Sequence, residues 1–71
     1  MTVQWRSVFS SNVSQIGYDE ETSELWVEWN SGKTSVYSGV PAKLATDTMN
    51  SWSVGSSLAS DIKNKFAHRY A

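Results

Sequence analysis

The chain has no cysteine, one histidine and one proline among its 71 residues. The missing cysteines exclude disulfides, thiolate zinc sites and a cysteine nucleophile, and they fit a reducing compartment. No run approaches the roughly 20 apolar residues of a membrane span, and the N-terminus lacks a signal-peptide h-region, so a cytoplasmic location is expected. Catalytic signatures are missing as well. No serine stands in a Gly-x-Ser-x-Gly context. Asp19, Glu20, Glu21 and Glu24 lack the spacing and central glycine of an EF-hand loop and read as a solvated hairpin turn. His68 reads as a solvated residue at a helix end near the chain terminus. No catalytic residue, cofactor or metal is expected, and the chain reads as a non-enzyme.

Net charge is also small, −1. A dedicated RNA or DNA binder carries a stronger basic surplus, so any polyanion contact must be local, short or limited to a small ligand. The small total conceals an asymmetry. Residues 1–41 are acidic, while residues 42–71 carry Lys43, Lys63, Lys65 and Arg69 against Asp47 and Asp61 alone. A chain this short makes one domain, near the lower limit for a self-supporting core. Four tryptophans, three tyrosines and two phenylalanines substitute for disulfides in filling that core. Self-association is the other remedy, and a homo-oligomer, most simply a symmetric dimer, is expected.

What is present divides into a strand-like first half and a helical second half. Trp5 to Phe9 is an edge strand or extended arm, and Ser10-Ser11-Asn12 is a turn. Ile16 and Tyr18 share one face of a short strand, with Gly17 between them. Leu25, Val27 and Trp29 alternate with Trp26 and Glu28 in the clearest strand of the chain. Asn30-Ser31-Gly32-Lys33 closes a hairpin, with Gly32 suited to a positive φ, and Thr34 to Ser38 returns. Pro41 suits a first helical position, followed by the stripe Leu44, Ala45, Met49 and Trp52. After the break at residues 53–57, Leu58, Ile62, Phe66 and Tyr70 recur every four residues and predict a second helix facing the sheet. Lys63, Lys65 and Arg69 then sit near its C-terminus, where basic residues favour the helix dipole. The expected fold is α+β: a three- or four-stranded antiparallel meander followed by two helices packed on one face.

Several of these signals stand in a familiar order. Ser10-Ser11-Asn12, Gly17-Tyr18-Asp19, Ser31-Gly32, Gly39-Val40-Pro41, Ser53-Val54-Gly55 and Ile62-Lys63-x-x-Phe66 follow at spacings that resemble the KTSC domain over residues 10–66. That family is named for its occurrence at the C-terminus of some lysyl-tRNA synthetases, and it also occurs as stand-alone proteins of bacteria and their phages. Three features depart from the family pattern. Ser35 replaces the first tyrosine of a central Tyr-x-Tyr, Leu58 and Ala59 replace an aromatic-Asn pair, and tryptophans are added at 5, 26 and 52. The resemblance implies a suggested RNA-binding role, with Tyr37 the surviving central tyrosine.

Candidate binding residues follow. Trp29 belongs with Leu25 and Val27 in the core. Trp26, on the opposite face, is either covered by the Trp5 segment or exposed to stack a base or anchor a protein. Tyr37 is either a core tyrosine with a buried hydrogen bond or a ligand contact. Ser53, Gly55 and Ser56 open a helix, where hydroxyls and N–H groups either cap it or meet an anion, with Lys63 two turns on. The expected function is a binding module for a nucleotide-like ligand or short RNA, through Trp26, Tyr37, Ser53, Gly55, Ser56, Lys63 and Arg69. A phage version would sequester a small signalling nucleotide, which needs no catalysis. The alternative is a protein-interaction or inhibitor module using the extra tryptophans.

Overall fold

A computed structural model of the chain describes residues 3–8, 12–51 and 53–71. The expected Ser10-Ser11 turn and Trp52 lie outside the described residues. The sheet is antiparallel and has five strands, one more than the largest number expected from sequence. Spatial order follows chain order: β1 (Gln4–Ser7), β2 (Val13–Asp19), β3 (Glu24–Trp29), β4 (Thr34–Ser38) and β5 (Ala67–Tyr70). Between β4 and β5 come α1 (Ala42–Met49) and α2 (Val54–Ser57), which runs on as a π-helical turn, Leu58–Ile62.

The hairpins form where turn chemistry predicts them. At Gly32, φ is 96°, and its N–H donates to the Trp29 carbonyl at 3.0 Å while Trp29 N–H donates to Lys33 O at 2.8 Å. The earlier hairpin turns on Asp19, whose buried carboxylate accepts the N–H of Glu21 at 3.0 Å and of Thr22 at 3.4 Å. This side-chain mimic of a backbone turn explains an aspartate directly after the buried Tyr18. Pro41 precedes α1 as its cap in extended geometry rather than opening it as the first helical residue.

The last helix is shorter than the four-residue spacing predicts. It stops at Ile62, Lys63 is already extended, and Asn64 adopts φ 70°, a left-handed geometry that asparagine tolerates better than most residues. His68, Arg69 and Tyr70 therefore lie on β5, not at a helix end. The reason is the sheet's need for a partner. Val36 and Tyr37 of β4 are buried, and β5 pairs with β4 in the register Ser35↔Tyr70, Val36↔Arg69 and Tyr37↔His68.

One face of the sheet carries the core. Ile16, Tyr18, Leu25, Val27 and Tyr37 meet Val40, Ala45, Val54, Leu58 and Ile62 from the helical half. Strict alternation would leave Val13 on the opposite face from Ile16. A β-bulge between Val13 and Gln15 restores it to the core, where it is 1% exposed. Tyr18 crosses the core edge to donate its hydroxyl proton to the Val40 carbonyl at 2.5 Å, tying β2 to the corner before α1.

On the other face the register lines up one residue from each strand: Trp5, Gly17, Trp26, Val36 and Arg69. Gly17 is required by space rather than by φ. A Cβ there would stand 2.4 Å from Val3 Cγ1, 2.9 Å from the Gln4 carbonyl and 3.2 Å from Trp5 Cδ2. Trp5 thus crosses the gap left by Gly17 and meets the Trp26 ring edge-on, with centroids 6.4 Å apart. Gly17→Ala is expected to lift β1 and destabilise the fold by about 1–3 kcal/mol, as overpacking does. Urea denaturation followed by tryptophan emission measures it, and an unchanged midpoint would contradict the packing described.

Candidate functional site

The helices do not reach the whole core face. At its β4–β5 end they leave a groove of about 390 Å³, floored by Tyr37 and bounded by Trp29, Phe66, His68 and Tyr70. Local sequence positions each ring. Period-2 alternation on β5 puts His68 and Tyr70 on the Tyr37 side, and the cross-strand register sets His68 beside Tyr37. Their ring centroids are 5.0 Å apart, and His68 meets Tyr70 edge-on at 4.8 Å. Trp29 is fixed by its indole N–H, which donates to Ser35 Oγ at 2.7 Å. Ser35, where the family pattern has a tyrosine, therefore acts as the acceptor that orients a neighbouring ring.

The groove is positive. Lys33, from the β3–β4 hairpin, lies 5.5 Å from the Tyr70 ring centroid, and Lys63 lies at the exit of the π turn beside Asn64. No carboxylate is among the lining residues. Burial raises the Tyr37 pKa above its ordinary value, opposed by the hydrogen bond with Ser35, and repulsion from a Tyr70 phenolate would raise it further. Tyr37 is thus a neutral phenol at physiological pH, able to donate a hydrogen bond. Flat rings beside two lysines, open to solvent on one side, can hold a planar anionic ligand.

Of the residues singled out from sequence, Tyr37 and Lys63 share this groove. Tyr37 is 3% exposed and packs in the core while also lining the groove. Trp26 and Arg69 lie on the opposite face. Trp26 is half-buried between Trp5 and the Arg69 guanidinium, which stands 6.0 Å from its ring centroid, so cover by the Trp5 segment is the arrangement found. Ser53, Gly55 and Ser56 open α2 but do not line the groove. Ser53 caps α2 by backbone geometry without a side-chain cap bond, and its hydroxyl donates to Ser56 Oγ at 3.1 Å. Lys33, His68 and Tyr70 were not singled out. The strand alternation of His68 and Tyr70 was the available signal, hidden because Phe66 and Tyr70 also fit a helical stripe. Among the described residues, no three His, Cys, Asp or Glu side chains group to hold a metal ion. No helix there is long and apolar enough to cross a membrane.

The fold and groove define a small α+β domain with one helix-covered sheet face and an aromatic, basic recess at the sheet edge. The KTSC domain model matches residues 9–66, and the chain belongs to that family. It is similar to the crystal structure of a KTSC domain protein from Yersinia pestis, at 31% identity and a TM-score of 0.93, over 99% of each chain. No curated protein matches the chain. The family match ends at Phe66, before β5, which therefore lies outside the motifs by which the family is read from sequence.

The opposite face holds the clearest charge pair. Arg69 Nη1 donates to Glu24 Oε2 at 2.8 Å and, against the opposing effect of desolvation, holds the Glu24 carboxyl below its ordinary value of 4.5. A depressed carboxylate stabilises the fold fully above that ordinary value, and the contribution is lost as pH falls through the lower folded value. Glu24→Gln is therefore expected to melt below the parent at neutral pH, with the gap closing in acid as pH falls through the depressed folded value. Melting curves of both proteins at neutral and acid pH test this, and a gap that persists in acid would contradict it.

Proposed function

We propose that this KTSC domain is a non-enzymatic binding module whose β4–β5 groove takes a nucleotide-like ligand or a short stretch of RNA. The observation that carries this reading is the meeting of Tyr37, His68 and Tyr70 with Lys33 and Lys63 in a recess lined by no carboxylate. The rings supply stacking surfaces, which accept any base because every base has a π-face. The lysines supply compact charge for phosphate. A lone exposed histidine between two tyrosine rings has neither a nucleophile nor a carboxylate partner among its ring contacts, which favours binding over catalysis. Binding without turnover suits sequestration of a small nucleotide, including by a phage-encoded version in a host cytoplasm.

A second reading rests on a different observation. Trp5 is 42% exposed on the outer face beside Trp26, and exposed tryptophans anchor protein interfaces. The same face suits a second copy, and a symmetric dimer formed through it would set the Trp5 and Trp26 rings of one copy against those of the other. Trp5→Ala and Trp26→Ala weaken a protein or self-association partner on this reading and leave nucleotide binding unchanged.

Calorimetry against mononucleotides, dinucleotides and short RNAs tests the first reading. Tyr70 is 63% exposed, and β5 is exposed along its length, so ring removal there is expected to leave the core intact. Tyr70→Ala and His68→Ala should each weaken binding by about tenfold, the scale of one base–aromatic stack. Silence across the whole panel, or binding indifferent to both variants, would retire the proposal.

A further inference from the structure

We infer that the groove selects a ligand of one or two nucleotides carrying about two phosphate charges, rather than a continuous RNA strand. This deepens the reading above and rests on it. The argument is a census of the six lysine and arginine side chains, all among the described residues. Arg69 is committed to Glu24 at 2.8 Å on the opposite face. Arg6 donates to Asn50 Oδ1 at the end of α1, and Lys43 pairs with Asp47 at 3.4 Å. Lys33 and Lys63 stand in the groove, and Lys65 flanks it in the turn that leaves the π helix.

A strand of RNA needs a continued track of cations beyond the stacking platform. Here the track stops. Asp61 lies exposed two residues before Lys63, and the outer face carries the half-buried Glu28 and the Glu24 that is paired with Arg69. A strand leaving the recess around β5 would meet Arg69, whose charge is already held by Glu24, rather than a free cation. The groove volume of about 390 Å³ lies at the small end of ligand pockets, room for one or two stacked rings and their phosphates. Two lysines within the groove lining, the exposed rings of His68 and Tyr70 and a small recess agree on ligand size.

The test titrates the full chain with linear and cyclic dinucleotides of the four bases, and with the matching twelve-nucleotide RNAs, at several salt concentrations. For the best dinucleotide, the matching RNA is expected to gain no more than about tenfold, the statistical effect of overlapping registers on one strand. The slope of log affinity against log salt should be about −1.4 for two neutralised phosphates. Lys33→Gln and Lys63→Gln, both exposed and without packing roles, should each reduce that slope by about 0.7 and weaken the dinucleotide about tenfold. An RNA gain of about a hundredfold or more, with a slope near −3, would overturn the inference while leaving the nucleic-acid reading intact. Dinucleotide binding unaffected by either lysine variant would place the ligand elsewhere and also overturn it. Binding by no member of the set would remove the inference together with the reading on which it stands.

Discussion

A five-stranded sheet has two faces, and this chain has helices for only one. That constraint organises the molecule. The core face is closed by α1, α2 and the π turn, whereas the outer face has to be closed by side chains of the sheet itself. The row Trp5, Gly17, Trp26, Val36 and Arg69 solves it. Gly17 leaves room, Trp5 crosses that room to Trp26, and Arg69 lies against Trp26 while its charge is held by Glu24. Val36 beneath this cover is fully buried, on the face away from the helix-packed core cluster. Without a cysteine in the chain, large aromatic surfaces are the available means of closing so exposed a sheet.

The same constraint decides which aromatic residues remain for binding. From sequence, strand alternation faces Trp26 away from the core and leaves it either covered by the Trp5 segment or free. Structurally it is part of the cover, contacted from both sides. His68 and Tyr70 lie where helical cover ends, so their rings border solvent over the buried Tyr37 without serving as the only shield of the core. Charge is arranged along the same line, with unpaired lysines lining the groove and Arg69 paired with Glu24 on the outer face. A net charge of −1 thus conceals a small positive recess.

How much could be read beforehand depended on whether a pattern had one interpretation. Leu25, Val27 and Trp29 alternate over a length that no helix would produce, and Ser31-Gly32 fits one turn, so β3, β4 and their hairpin were legible. Leu58, Ile62, Phe66 and Tyr70 were ambiguous. A four-residue step is one helical turn and also two strand repeats, and nothing local separates the two until Asn64 is seen in a left-handed turn. Assigning residues 66–70 to a helix hid β5, and with it the placement of His68, Arg69 and Tyr70. The bulge near Val13 was equally invisible, since it shows only in the pairing with β3. For the candidate site, Tyr37 and Lys63 were identifiable from residue type and position. Lys33 and Tyr70 could not be paired, because their contact depends on β4–β5 register, a non-local fact.

The strand missed from sequence is also the one that completes the groove, and the two facts have a common cause. β5 is short, at the sheet edge, and exposed at every residue, so it contributes little apolar surface to the core and leaves a weak hydrophobic signature. A strand under so little packing constraint can carry His68 and Tyr70 facing solvent at small cost in stability. Its hold on the sheet comes from pairing with β4, from the Arg69–Glu24 pair and from the Ala71 N–H to Thr34 carbonyl bond at 2.9 Å. These are modest, mostly solvent-exposed interactions, and such elements sit at the low end of local stability. A ligand stacked on His68 and Tyr70 and held by Lys33 and Lys63 would bridge β5 to the hairpin and to the π-turn exit. Occupying the groove and ordering the edge strand are then coupled, because both draw on the same contacts.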